Sequence, residues 1–373
     1  MAHEMHMVAF NVPWPADYGG VIDIFYRLKA LHDAGIGVHL HCFTYGRQEA
    51  PQLEELCRSV TYYRRDMSPL LHLSRRPFIV ASRDNAQLRQ RLKTDRLPVL
   101  LEGTHCCALL QDDDFRRDRC VIVRAHNVEA DYYSMLAKAV HNPFRKAYLA
   151  IDAAKLRRYE GILKDADAVM AVSEADYDSL LSAGCRNVHV VPCGHPYREV
   201  VSALGRGDYA LYHGNLSVPE NEAGAMELIN NVFSGSHHRL VIAGHAPTKR
   251  LCSVASRYPN VTIVNSPDDV AMARLISEAQ VNVLVTNQPT GLKLKLLYSL
   301  FAGRHCVVNS NMLSGTSLGS LCTVADGAEV LREAIDNLMN VDFGPEHLER
   351  RTRALQPYVT ANAIKPLLDI LSR

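Results

Sequence analysis

Two lysines, Lys293 and Lys295, interrupt the apolar run from Thr290 to Gly303. That run reads as a helix beginning near Gly291 and stopping at Gly303, a residue suited to the left-handed position that closes helices. A helix start leaves backbone N–H groups unpaired and partly positive, which attracts phosphate. Cations are otherwise disfavoured at that end, so lysines in the first turn make sense when an anion binds there. Two solvated lysines on a helix surface are the plain alternative, and these residues alone leave both readings open.

Other residues of chemical interest fall where strands end. His126 follows the apolar run Cys120–Val123 and could hold a sugar hydroxyl or act as an acid or base. It could also be an ordinary polar residue leading into a helix. Glu102, with Thr104 and His105, closes the preceding strand and carries the same two readings. Gly19 and Gly20 follow the first strand; they either let backbone approach a phosphate or make a plain tight turn. His213-Gly-Asn-Leu-Ser217 is a glycine turn leading to Pro219, which suits a first helical position. None is specific alone. Their shared place at carboxyl ends of strands, in both halves of the chain, is the stronger signal.

The elements that must position them alternate throughout. Strands are expected at 5–10, 38–43, 60–63, 98–101, 120–123, 168–172 and 188–191. Helices are expected at 21–34, 83–93, 128–141, 145–165 (after a break at Asn142-Pro143) and from Glu174. The polar, Pro- and Gly-containing stretch 192–207 interrupts the pattern and marks a boundary between domains 1–200 and 201–373. Alternation then resumes with strands at 209–212, 239–243, 261–264, 281–285 and 306–308. An Asp-capped helix covers 268–280, and an amphipathic helical segment, 345–372, is a candidate to pack back on the first domain. The fold class is α/β, with two Rossmann-like, doubly wound domains facing each other across an interdomain cleft. Ligands of such sheets bind outside the carboxyl ends of the strands.

Composition narrows the classes further. The 373 residues carry 41 basic and 40 acidic side chains, a net charge of +1, so no global field points to nucleic acid. Ten cysteines are scattered without a CxxC pair, which suits reduced core thiols in a cytoplasmic protein. No histidines stand at zinc spacing beside cysteines, so no metal site is expected. No apolar run approaches the roughly 20 residues of a membrane span. From Arg58 to Arg96, ten basic residues face three acids, with Leu70, Leu71, Leu73, Phe78 and Ile79 interleaved. That pattern suits peripheral contact with an anionic membrane, or a solvated arginine-rich face over ordinary core leucines.

Taken together, the chain resembles the GT-B glycosyltransferases, and within them the retaining glycosyltransferase family 4. The resemblance rests on Tyr18-Gly-Gly20, Arg124-Ala-His-Asn-Val-Glu129, Ala171-Val-Ser-Glu174 and Val191-Pro-Cys-Gly194. It continues with His213-Gly-Asn-Leu-Ser217 plus Pro219-Glu-Asn221, Ile242-Ala-Gly244, and Gly291-Leu-Lys-Leu-Lys-Leu-Leu297 with Ala302-Gly303. It implies transfer of a hexose from a nucleotide diphosphate sugar to a glycan or lipid-linked acceptor, with retention and without cofactor or metal, in bacterial-type polysaccharide or glycoconjugate synthesis. By the same resemblance His126 faces the transferring sugar and Lys295, with Lys293 beside it, compensates the diphosphate. Gly19 and Gly20 approach the donor phosphates and Ser266 meets the base. Gly214, Asn215, Thr290, Gly291, Leu292 and Tyr298 complete the implied donor site. The family commonly places two glutamates eight positions apart, on the sugar and the ribose; here those positions are Thr290 and Tyr298. Its usual Arg and Lys in the early second-domain loop are replaced, with Asn215 near the first and Glu220 or Asn221 near the second. A catalytically silent partner subunit and a sugar-nucleotide epimerase of the same fold therefore remain alternative functions.

Overall fold

The computed structural model describes residues 4–140, 142–287 and 293–372. The chain divides into two compact units, Met1–Pro196 with Thr360–Arg373, and Tyr197–Val359. Each is built on one parallel sheet flanked by helices. The first unit's sheet has the strands β1 Glu4–Ala9, β2 Gly37–Thr44, β3 Ser59–Arg64, β4 Val99–Glu102, β5 Val121–Arg124, β6 Ala168–Ala171 and β7 Val188–Val190. Their order is β3-β2-β1-β4-β5-β6-β7. Strands covered on both faces must be apolar almost throughout, and Met5, Met7, Val8 and Ala9 of β1 are fully buried. The second unit orders β8 Tyr209–His213, β9 Arg239–Gly244, β10 Val261–Asn265, β11 Val281–Leu284, β12 His305–Val308 and β13 Thr323–Val324 as β10-β9-β8-β11-β12-β13. The two-residue edge strand β13 lacks any apolar run and was not foreseeable from sequence pattern.

Several expected bounds shift for identifiable reasons. The first helix is Gly19–Asp33 and buries Ile24, Leu28 and Leu31, with Gly35 at φ +77° just beyond its end. The expected helix 83–93 is Ala86–Leu92, capped by Asn85, whose side chain accepts from Leu88 N at 3.0 Å. Arg83 is instead buried, donating to the carbonyls of Phe10 (2.9 Å) and Ile79 (2.8 Å). The helices after β5 are Glu129–Ala139 and Pro143–Tyr159. The second tightens into a 3-10 helix over Glu160–Asp165, so the helical run reaches the expected end, and the Glu160 side chain accepts the backbone N–H of Glu129 at 2.7 Å, capping the first. The segment 345–372 is not one helix. Pro345–Leu355 stops near Pro357, and after a turn the short helices Thr360–Ala363 and Lys365–Leu371 follow. Ile364, Leu367, Ile370 and Leu371 belong to the core of the first unit.

In the second unit the helix Asp269–Glu278 carries the expected cap, Asp268 accepting from Ala271 N at 2.7 Å. The lysine-bearing helix is Leu294–Ala302, with Lys293 in the cap position. Gly303 has φ −81°, so it is not the left-handed terminator expected. A side chain there would collide with Asn282 Nδ2 and lie 2.7 Å from the carbonyl of Ser299, so the glycine serves close packing instead. The cysteines are not uniformly core residues: Cys252 is exposed and Cys57, Cys120 and Cys322 are half-buried. Nor do the basic residues of 58–96 form one free face. Six pair with acids, Arg65 and Arg83 are buried, and Phe78 and Ile79 are core. Among the described residues, no helix is long and apolar enough to cross a membrane.

Candidate functional site

In the first unit, β4 and β5 end in register at Glu102 and Arg124. The helix Gly19–Asp33 brings Asp23 and Arg27, one turn apart, against those ends. All four side chains are almost completely buried. Arg27 donates to Glu102 from Nε at 3.0 Å and from Nη2 at 3.2 Å, and to Asp23 from Nη2 at 2.5 Å. Arg124 Nε donates to Asp23 Oδ2 at 2.9 Å, and its Nη1 reaches the carbonyls of Ala171 and Val191. The backbone N–H of Gly194 completes Asp23 at 2.7 Å. Burial alone would raise the Asp23 carboxyl, but Arg124 and Arg27 hold it below the usual range. Burial likewise would raise the Glu102 carboxyl, but Arg27 and His126 outweigh it and hold the group below the usual range. Two carboxylates and two guanidiniums thus balance within the protein.

His126 sits on this network. Its Nε2 lies 2.9 Å from Glu102 Oε2 and its Nδ1 lies 3.4 Å from Asp23 Oδ2, with 9% of the side chain exposed. Phe10 meets the ring edge-on at 5.4 Å and stacks on His105 at 4.9 Å. Gly103, at φ +79°, passes beneath, where a side chain would lie 2.8 Å from His105 Nδ1. The imidazole is therefore fixed by groups that do not themselves need a ligand. Asp23, Glu102 and His126 form the one group among the described residues whose atoms could surround a metal ion. They do not fit one, because Arg27 and Arg124 already occupy both carboxylates.

Gly19 and Gly20 open the helix after the loop that follows β1, behind Tyr18 in an extended conformation. A side chain on Gly20 would stand 2.7 Å from Phe10 Cζ, so close approach of Phe10 explains that glycine. The first N–H groups of a helix have no acceptor within it.

In the second unit Lys295, Asn221, Asn215 and Gly214 are linked by contacts beyond the ends of β8 and β11. Lys295, in the first turn of Leu294–Ala302, lies over the Tyr212 ring at 5.5 Å. Its Nζ is 3.4 Å from Asn221 Oδ1 and 3.5 Å from the carbonyl of Val285. Among the described residues no ion pair reaches it. Burial brings its pKa down to about 8; Glu220 opposes the shift and Lys293 adds to it. Asn221 is held in turn by the carbonyl of Asn215 at 2.9 Å, and Asn215 Oδ1 organises Ser217. Asn221 thus meets the lysine, whereas Glu220 accepts from Thr286. Gly214 packs against Asn221, and Gly244 against the carbonyl of Gly214, leaving no room for a side chain at Gly244. His213, buried, bonds Ser299 at 3.1 Å and is held to a pKa of about 3 by burial and Lys295.

Ser266 closes β10 at φ +50°, beside Ala246 at φ +49° after β9, and its hydroxyl lies 3.3 Å from His245 Nδ1. Non-glycine residues in that conformation are uncommon and cluster at binding sites. Tyr298 turns its ring edge to Tyr197 at 5.6 Å. Thr290, Gly291 and Leu292 lie outside the described residues. Sequence reading missed Asp23 and Arg27. The signal was present, as two opposite charges four apart among the buried positions Ile24, Leu28 and Leu31, where a plain amphipathic helix would carry neither.

Residues 19–197 match the sequence model of Glycosyltransferase Family 4. A Klebsiella pneumoniae protein described as an uncharacterized 44.6 kDa protein in the cps region is 26% identical over 358 residues, covering 89% of this chain and 88% of its own. Solved structures align over nearly the whole length. Sucrose-phosphate synthase from Thermosynechococcus elongatus gives a TM-score of 0.68 at 15% identity, covering 99% of each chain. TarM from S. aureus, in complex with UDP, gives 0.66 at 10%, covering 99% of this chain and 100% of its own. HepE from Anabaena, in complex with UDP and glucose, gives 0.62 at 12%, covering 98% and 97%. The chain is therefore a GT-B fold protein whose first half carries the sequence pattern of glycosyltransferase family 4.

Proposed function

We propose that this protein transfers a hexose from a nucleotide diphosphate sugar to a glycan or lipid-linked acceptor, with retention of configuration. The observation that carries the reading is Lys295, a largely buried cation at a helix start with no carboxylate paired to it among the described residues. Burying an unpaired charge is costly, and an anionic ligand removes the cost. As the bond to the diphosphate breaks, negative charge builds on the leaving group. Lys295, Lys293 and the N–H groups of the first turn stabilise it there without a metal. His126, fixed by Glu102 and Asp23, faces the sugar, and Gly19 and Gly20 lie by the phosphates. Ser266 and its neighbours meet the base. The relative in a cps region supports a role in polysaccharide synthesis.

The test is a thermal-shift screen of UDP, GDP and their sugars, followed by transfer from a labelled donor and assignment of the product anomer by NMR. Stabilisation by one nucleotide family and a retained anomer are expected. No shift with any nucleotide would overturn the reading. A second reading, a silent GT-B partner subunit, draws on Tyr298, which packs against Tyr197 where the family places a ribose-binding glutamate. Nucleotide binding without turnover on any acceptor is its signature. Conversion of the donor sugar without transfer would instead identify an epimerase.

A further inference from the structure

Four large apolar side chains of the first unit are more than half exposed: Phe144 is 86% exposed, Leu73 84%, Leu70 74% and Ile151 58%. They belong to one surface. Leu70 and Leu73 flank His72 in the turn Pro69–Leu73. The ring of His72 stacks on Phe78 at 4.2 Å and meets Tyr148 edge-on at 5.1 Å, and its carbonyl accepts from Lys155 Nζ at 2.8 Å. Tyr148 and Lys155 lie on the helix Pro143–Tyr159, four residues after Phe144 and Ile151 respectively. Four residues is one helical turn, so all four share a stripe. The turn is thus anchored through His72 while its leucines point away from the core.

The outer face of that helix is equally selective. Its exposed positions include Phe144, Ala147, Ala150, Ile151 and Ala154, with Arg145, Lys146, Arg157 and Arg158 at the two ends, and no acid among them. The helix's one acid, Asp152, is buried and accepts from Phe78 N at 3.2 Å. Arg157 is engaged by Asp131 at 3.0 Å. Among the described residues no ion pair reaches Arg145, Lys146, Arg158 or the nearby Arg75. Exposed apolar side chains gathered in one patch mark an interaction surface. Here they protrude and are rimmed by uncompensated positive charge, which suits a headgroup layer of negative lipids.

We propose that the turn Pro69–Leu73 and the outer face of the helix Pro143–Tyr159 dock this protein on an anionic lipid bilayer. Phe144, Leu70, Leu73 and Ile151 enter between headgroups, and Arg75, Arg145, Lys146 and Arg158 contact phosphates. This docking does not depend on the transferase reading. None of these residues belongs to the network around His126 or to the surroundings of Lys295.

Vesicle flotation of the full-length protein tests it, with phosphatidylcholine vesicles made with and without phosphatidylglycerol, at low and high salt. Binding is expected only with the anionic lipid, weakening as salt screens the contact. Leu73→Ser/Phe144→Ser should abolish flotation, and Arg145→Glu/Lys146→Glu should weaken it about tenfold or more, since each basic contact contributes about fivefold in partitioning. A thermal melt, expected unchanged, shows that each variant is folded. Flotation that survives both variants overturns this patch as the membrane face. No binding to anionic vesicles at low salt overturns the membrane assignment. Self-association of the native chain that Phe144→Ser abolishes, without vesicle binding, makes the patch a protein contact and likewise overturns it.

Discussion

Lys295 and His126 pose different problems for a folded chain. His126 has its partners built in, whereas no ion pair reaches Lys295 among the described residues. Lys295→Ala should therefore remove roughly 2–4 kcal/mol of transition-state stabilisation, by analogy with other groups that stabilise developing oxyanions. The melting temperature should hold or rise, since an unpaired buried charge is lost; near-normal turnover at saturating donor would contradict the role. The pH dependence follows from the same burial. With a pKa of about 8 the lysine is charged at neutral pH and discharges as pH rises through that value. Nucleotide diphosphate affinity, measured calorimetrically, should fall across that window in the native protein and stay flat in Lys295→Ala. For stability the sign is opposite. The unfolded lysine keeps its proton to about 10.5, so the ligand-free fold gains stability as pH climbs from about 8 toward that value. His126→Ala should lower turnover much more than nucleotide affinity, and an equal loss of both would place the histidine at the nucleotide instead.

At the scale of elements, helices with alternating faces and buried strand runs were legible because burial leaves a periodic trace. Val99–Glu102, Val121–Arg124 and Asp269–Glu278 fall within one or two residues of expectation. What the sequence pattern does not show is how charges placed inside are paired. Asp23, Arg27, Glu102 and Arg124 resemble surface residues in type, and only the three-dimensional pairing of β4 with β5 shows why they are tolerated. Gly303 was misread for a related reason, since a chain gives no sign of whether a glycine serves a turn or a close approach. Buried acids also carry a testable cost at the joint of Glu129–Ala139 and Pro143–Tyr159. Burial, with the charge of Glu160, raises Glu129 to about 8, and burial raises Glu160 itself to about 7. Both carboxyls titrate near 4.5 when unfolded, so they keep their protons in the fold over a range where the unfolded chain has lost them. Stability should fall as pH rises from about 4.5 toward 8. Glu129→Gln should flatten this loss, raising the melting temperature by several degrees at the alkaline end and by little at the acid end. A uniform change at all pH values would show that its carboxyl is not the titrating group.

For the whole molecule, the decisive feature is the order in which the chain completes its first unit. After the second unit ends at Val359, the chain supplies Thr360–Arg373 to the first. Ile364, Leu367, Ile370 and Leu371 fill its core, each contributing up to about 1.5–3 kcal/mol when fully buried. Ordering these few residues offsets part of that sum. Thr360 ties the return to the site: its hydroxyl accepts from His195 N and donates to His195 O, both at 3.0 Å. The neighbouring Gly194 N–H holds Asp23, which holds Arg124 and faces His126. The position of His126 thus depends on a residue more than two hundred positions away. Ending the chain after Val359 should lower the melting transition of the first unit and leave that of the second in place, as resolved by calorimetry. Thr360→Val keeps the apolar packing but removes both bonds to His195. It should retain most of the melting temperature and the nucleotide affinity while lowering turnover, because Asp23 and with it His126 lose their fixed position. Turnover unchanged in a folded Thr360→Val protein would show that the return segment serves stability alone.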